Sequence, residues 1–293
     1  MEGTAEEEVD EEGSRTVTGY YVQKGDRASE KVVFWLYGGA YLSGDAWGNT
    51  TIAEGVSQRC GVDVFLPSYR LMPEYNYDQI LWDVVLAYIY LLFERRVSPS
   101  NIILLGISSG GGLVARCLQA IAEVNRGEAL ESGRITSLLS QCLRKQGNLM
   151  PRGGVLLCPF VDYTDETYRK TRGSFEEYPA HDLVVNQSVI EEGVPYLAIK
   201  LGDMTNRART SPVYRSFQDL PPLCVVASEH EAVFDQSIDL VNKARAAGVP
   251  VTLGLWKYMC HVFSFMSPFI PEGQDSMDFA CQWIDLQFGL LGQ

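Results

Sequence analysis

Histidine is scarce in this chain: there are three in 293 residues, at positions 181, 230 and 261. None stands at ligand spacing from a cysteine, so no structural zinc site is expected. The seven cysteines (60, 117, 142, 158, 224, 260 and 281) include no C-x-x-C pair. They are odd in number, scattered, and mostly set in apolar runs. That excludes a disulfide framework and predicts buried free thiols in a reducing, cytoplasmic compartment. Long apolar runs are also missing. The longest, Val84 to Phe93, is too short to span a bilayer, which needs about 20 apolar residues, so no stable membrane insertion is expected. Basic charge is in deficit, with 24 Lys and Arg against 37 Asp and Glu and a formal net charge of -13. Such a balance disfavours nucleic acid and anionic membranes as partners. Residues 1–12 carry seven acidic side chains and no basic one. They predict an acidic disordered tail over 1–15, ahead of one domain spanning 16–293. An acidic opening is also the wrong chemistry for a secretory leader, whose first residues are basic and then apolar. No internal repeat is present.

What the chain does contain is an alternation of apolar strands and helical patterns. Strands are predicted at Lys31–Tyr37, Val62–Leu66, Ile102–Gly106, Val155–Cys158, Leu223–Ala227 and Val251–Trp256. Helices are predicted at Gln79–Phe93, 113–124, 186–200, 235–247 and 275–288. Continuous apolar strands separated by helices imply an α/β protein with a mostly parallel central sheet and helices on both faces. In such sheets ligands lie beyond the carboxyl ends of the strands. Two connections break the rhythm. Residues 125–150 read as a polar insertion loop with a short helix. Residues 163–210, rich in Tyr, Glu and Arg, read as a small helical lid.

The segment with the most chemical content is Gly106-Ile107-Ser108-Ser109-Gly110. It follows a β-branched run and precedes a helical pattern. In that setting a Gly-x-Ser-x-Gly turn exposes its serine at the end of a strand, over a helix N-terminus that favours negative charge. Gly106 and Gly110 leave room for the turn. About 70 residues earlier, Tyr37-Gly38-Gly39-Ala40-Tyr41 follows another strand. Its small residues let backbone N–H groups approach an oxyanion closely. Gly39 and Ala40, with the N–H of Ser109, are the candidate oxyanion hole. Of the three histidines, His261 follows the last strand at its carboxyl end, where a general base for Ser108 would sit. His230 lies beside the candidate acids and His181 within the lid. The acid candidates after the strand Leu223–Ala227 are Glu229, Glu231 and Asp235.

The order Ser108, acid, His261 is that of an α/β hydrolase, and five segments resemble the hormone-sensitive-lipase-like branch of that fold. Tyr37-Gly38-Gly39-Ala40 resembles the family's His-Gly-Gly-Gly. Tyr69-Arg70-Leu71-Met72-Pro73-Glu74, with Asp83 on the next helix, resembles its Tyr-Arg-Leu-Ala-Pro-Glu and following Asp. Gly106–Gly110 resembles Gly-Asp-Ser-Ala-Gly, and Pro159-Phe160-Val161-Asp162 resembles Pro-Trp-x-Asp. Leu220-Pro221-Pro222 through Glu231 resembles the segment that carries the acid. The family's His-Gly-Phe is matched by His261 alone, within Cys260-His261-Val262-Phe263. The resemblance covers residues 17–288 and implies the triad Ser108, His261 and Glu231.

It further implies a carboxylic ester hydrolase that works through an acyl-enzyme on a small-molecule ester of short-to-medium acyl chain, with no metal or cofactor. An amide-cleaving relative (formamidase or deacetylase) would use the same triad, and a non-catalytic ligand-binding receptor would use the same fold. Tyr41, Trp47 and Tyr178 are expected to border an apolar acyl pocket. Four positions depart from the pattern. Tyr37 replaces a histidine, Ala40 a glycine, Ile107 an aspartate, and Glu231 is one methylene longer than the usual acid.

Overall fold

A computed structural model of the chain describes residues 18–23, 29–164 and 173–290. The acidic tail expected over 1–15 lies outside them. Six strands of the sheet, those formed by the apolar runs, are hydrogen-bonded side by side and are preceded in the chain by one strand with a different character. β1 (Thr18–Val22) is half-buried along its whole length. β2 (Val32–Leu36), with every residue buried, is followed by α1 (Thr50–Cys60), β3 (Asp63–Ser68) and α2 (Tyr77–Phe93). β4 (Ile102–Ile107) leads into α3 (Ser109–Asn125), and α4 (Gly133–Gln146) precedes β5 (Gly153–Leu157). Short helices α5 (Ser174–Glu177), α6 (Val194–Leu201) and α7 (Met204–Thr210) come next. β6 (Leu223–Ser228), α8 (Phe234–Ala246), β7 (Val251–Trp256) and α9 (Pro271–Phe288) complete the order.

The sheet runs β1-β3-β2-β4-β5-β6-β7, with β1 antiparallel to β3 and every other pair parallel. β2, β4, β5 and β6 are buried throughout, as parallel strands covered on both faces must be. α2, α3 and α4 pack on one another, and α1 packs on α9, which supplies the two covering layers. Arg70 and Asp83 of the Tyr-Arg-Leu segment form a bidentate pair, with Nη2 to Oδ1 at 2.7 Å and Nε to Oδ2 at 2.8 Å. Arg70 also donates to the Gln79 carbonyl at 3.2 Å. The pair therefore clips the chain after β3 to the start of α2, a structural role.

All six expected strands are present. The helix expected at 113–124 begins earlier, at the serine turn itself, and that at 275–288 begins at Pro271. The short helix expected within 125–150 is present and longer than expected: α4 has 14 residues and is capped by Ser132, whose Oγ accepts from Ile135 N. Its polar face is solvated, and only Ile135, Leu139 and Cys142 are buried. Such a thin apolar stripe looks like loop composition until its 3-4 spacing is counted. The helix expected at 186–200 is divided, with a π-type turn at Val189–Gly193 feeding α6. Two elements ahead of β4 were not legible in the sequence, nor were the short helices α5 and α7. β1 is a five-residue edge strand without alternation, and α1 is poorly apolar and contains Gly55.

Candidate active site

Register along the sheet decides what meets what. Leu36 of β2 pairs with Gly106 of β4, and Ile107 of β4 with Leu157 of β5. The loops leaving β2, β4 and β5 therefore emerge side by side at the carboxyl edge, and the turns after β6 and β7 emerge beyond them. Ser108 sits at φ 54° and ψ −122° as the residue capping α3. This is a left-handed backbone for a residue with a Cβ, a strain of about 1–3 kcal/mol that the surroundings must hold. They do so through the main chain: Ser108 N donates to the Leu157 carbonyl at 2.9 Å, and its carbonyl accepts from Phe160 N at 3.0 Å. A Cβ on Gly106 would collide with the Gly110 carbonyl, and one on Gly110 with the carbonyls of Leu36 and Tyr37. Both glycines are therefore required by packing, as the motif implies.

Ser108, His261 and Glu231 are brought together. Ser108 Oγ lies 2.8 Å from His261 Nε2, and His261 Nδ1 lies 2.7 Å from Glu231 Oε2. The other carboxylate oxygen, Oε1, accepts from Ser228 N at 3.0 Å. Glu231 is fully buried and His261 is 3% exposed. Of the other acid candidates, Glu229 faces Lys257 at 3.9 Å, and Asp235 accepts from Ser174 N at 3.0 Å. Neither is bonded to the imidazole. His230 accepts from Tyr258 N through Nδ1 at 3.2 Å and packs its ring on Tyr258. His181 is exposed.

Two further residues shape the acid–base pair and were not singled out in the sequence. Ser228 ends β6, and its hydroxyl donates to the Met259 carbonyl at 2.7 Å while accepting from Met259 N and His230 N at 3.2 Å each. It stitches the acid turn to the histidine turn. Cys158 is buried behind the acid, and its Sγ lies within 4.8 Å of ligand atoms of both Glu231 and His261. Burial and the Glu231 carboxylate push its thiol well above the ordinary value, so it faces that carboxylate as a neutral S–H. These three side chains are ligand types for a metal ion. Here, however, Glu231 and His261 are already bonded to one another and to Ser228 N and Ser108 Oγ, and a cation would have to displace those bonds.

The Gly-Gly-Ala loop lies against the serine turn: a Cβ on Gly38 would sit 2.9 Å from the Ile107 carbonyl and 3.1 Å from Ser108 Cβ. Gly39 has φ 127°, and Ala40 and Tyr41 have φ 54° and 64°. Ala40 thus tolerates its Cβ in a left-handed conformation. The departure at Tyr37 has a structural account. Its ring stacks on Tyr69 at 4.0 Å and 8°, its hydroxyl donates to the Tyr69 carbonyl at 3.0 Å, and the Tyr69 hydroxyl donates to the Tyr37 carbonyl. Two tyrosines thereby hold the start of the loop from both ends.

Gly38, Gly39, Ala40, Ser108 and His261 line a cavity of about 670 Å³. Its walls are mostly aliphatic and phenyl: Leu42, Ile107 and Phe160 near the sheet, Phe175, Val184, Val185, Val189, Val194 and Leu197 from the segment before β6, and Val262 and Phe265 after β7. Ser43, Asp45 and Asn49 make one end polar. The aromatic residues expected at its border are elsewhere. Tyr41 is buried behind the loop, its hydroxyl paired with that of Tyr163 and its ring edge-on to Tyr77. Trp47 is 61% exposed and packs on Tyr20, and Tyr178 packs on His230. Because Tyr41 follows Ala40 in a left-handed backbone, its side chain turns inward, and smaller apolar groups make the wall instead.

A family model describing the alpha/beta hydrolase fold matches residues 33–265. An acetyl-hydrolase of Streptomyces hygroscopicus is 27% identical over 254 residues, 87% of this chain and 75% of that protein. An esterase of Acinetobacter venetianus is 26% identical over 257 residues, 87% and 74% of the two chains. Among solved structures, an esterase from the bacterial hormone-sensitive lipase family superposes with a TM-score of 0.74 at 26% identity, covering 96% of this chain and 87% of that one. Fold, site and relatives together define a serine hydrolase. Within that class, the chain belongs to the alpha/beta hydrolase fold family, in its hormone-sensitive-lipase-like branch.

Proposed function

We propose that this protein hydrolyses carboxylic esters of short-to-medium acyl chain through a Ser108–His261–Glu231 triad. The observation that carries the reading is the unbroken line from Ser108 Oγ through His261 to the buried Glu231 carboxylate, set at the wall of an apolar cavity. Ser108 Oγ attacks the acyl carbon while His261 Nε2 takes its proton. Glu231 holds Nδ1–H, fixing the tautomer, and stabilises the imidazolium that forms. The N–H groups of Gly39, Ala40 and Ser109 receive the oxyanion at the start of α3, where the helix dipole adds to them. His261 then gives the proton to the departing alcohol, leaving an acyl-serine. Water, deprotonated by His261, attacks the acyl-serine, and release of the acid restores Ser108. None of these steps calls on a metal or cofactor.

The aliphatic wall favours acyl chains that bury methylenes, each worth about 0.8 kcal/mol, and the cavity size sets the upper limit on chain length. In this reading 163–210 is the lid of one α/β-hydrolase domain over 16–293; residues 165–172 lie outside the described residues, and what supports the lid is that Phe175, Val184, Val185, Val189, Val194 and Leu197 line the cavity. All seven cysteines are unpaired, and all but Cys260 are buried, which suits a reducing, cytoplasmic compartment. Among the described residues no helix is long and apolar enough to cross a membrane.

The test is hydrolysis of p-nitrophenyl acetate, butyrate and octanoate by the wild-type protein and by Ser108→Ala. Ester turnover that the variant lacks supports the reading. A folded wild-type protein that cleaves none of the three overturns it, and faster cleavage of matched anilides would move the assignment to amide hydrolysis.

A further inference from the structure

Asp182 is 2% exposed and matches none of the motifs in the sequence. Four backbone N–H groups converge on its carboxylate. Oδ1 accepts from Val184 at 2.9 Å and Val185 at 3.0 Å. Oδ2 accepts from Ala232 at 3.0 Å and His261 at 3.1 Å. These donors belong to three separate stretches of chain. Val184 and Val185 are cavity wall, Ala232 directly follows the triad acid, and His261 is the triad base. A buried carboxylate needs its charge met by donors, and here four main-chain groups meet it.

We infer that Asp182 is a positioning residue for the triad: one carboxylate fixes the backbone of the base and of the acid turn, and couples both to the substrate wall. The inference rests on the triad reading above. The bond from His261 N holds the main chain of the histidine turn directly. Val262, the next residue, has φ 56°, a left-handed backbone that needs an anchor nearby. A substrate acyl group seated on Val184 and Val185 therefore presses on the same carboxylate that sets the direction of the imidazole. Asp182 touches neither substrate nor reacting atom and acts through His261.

Asp182→Asn tests this, because the amide can accept at only one oxygen and loses at least half of the four bonds. In that variant kcat on p-nitrophenyl butyrate falls by about a hundredfold, the scale of an ångström-sized misplacement of a catalytic group, while KM moves by no more than about threefold. The far-downfield proton resonance of the Glu231–His261 bond, sharp in wild type and in Ser108→Ala, broadens or shifts. A variant that keeps kcat and the resonance while losing only thermal stability overturns the inference, since Asp182 would then be a structural pin. If Asp182→Asn does not fold, Asp182→Glu, which keeps charge and acceptors but displaces them, must fold and show the same loss of kcat. Failure of both to fold also overturns it. A wild-type protein without esterase activity would sink the triad reading, and the resonance would still report on whether Asp182 positions His261.

Discussion

The carboxyl edge of the sheet and the segment that roofs it are built by different means. At the edge, each residue of the proposed triad stands one to five residues beyond a parallel strand. Ser108 follows Ile107, Glu231 follows Ser228 by three, and His261 follows Trp256 by five. Their positions are set by ladders of backbone hydrogen bonds and by strained but heavily bonded turns. The roof, from Gly173 to Leu201, has short helices, a π-type turn and exposed apolar side chains, with Leu183 at 76% and Ile199 at 74% exposure. It is pinned at few points: Ser174 to Asp235 and Ala232, and Asp182 to the acid and histidine turns. In the proposed reading, chemistry rests with the stiff region and substrate choice with the roof, the pattern expected where a loop must admit and shape a ligand.

The largest effect that would test this division is at the proposed nucleophile. Ser108→Ala is expected to lower kcat on p-nitrophenyl butyrate by about 10⁴-fold or more, with an unchanged circular dichroism spectrum. Glu231→Gln comes next. It keeps the shape but lets the amide steer the wrong tautomer of His261, so steady-state assays should show a loss of about 10³- to 10⁴-fold in kcat. Gly110→Ala probes the stiffness itself. Its Cβ would run into the Leu36 and Tyr37 carbonyls, and urea unfolding should report a destabilisation of about 3 kcal/mol or more.

Changes to the roof should behave differently. Val194→Trp fills cavity space without touching the triad. It is expected to lower kcat/KM for the octanoate at least about tenfold relative to the acetate; an equal loss on both esters would break the comparison. The smallest effect concerns thiols. Burial raises Cys158 and Cys260 alike, with the Glu231 carboxylate adding to the first and Asp182 to the second. At pH 8 iodoacetamide should label half-buried Cys260 slowly and leave Cys158 untouched until the protein unfolds, as peptide mass spectrometry would show.

Much of the stiff region was legible in advance because it is written in local codes. Apolar runs such as Ile102–Leu105 and Leu223–Val226 announce buried strands. The Gly106–Gly110 pattern announces a turn that only glycine on both sides permits. Less of the roof was legible. Short helices with mixed faces have weak periodicity, and Val189–Gly193 departs from the α-helical period altogether. The expected aromatic wall of Tyr41, Trp47 and Tyr178 was wrong for a related reason. Sequence proximity to a site does not say which way a side chain turns, and the left-handed backbone at Ala40 and Tyr41 turned Tyr41 into the core.

The amino-acid order alone determined the α/β class, the parallel strands, the serine turn and the choice of His261, because each depends on near-neighbour sterics, periodicity or scarcity. Only the tertiary structure put Glu231, which the family resemblance had favoured over Glu229 and Asp235, on the imidazole. It also decided that Tyr37 is held by Tyr69, that Cys158 sits behind the acid, and that Asp182 gathers N–H groups from three turns. Those outcomes depend on strand register and loop direction, which bring together residues 30 to 153 positions apart, and no local pattern encodes a distance of that kind.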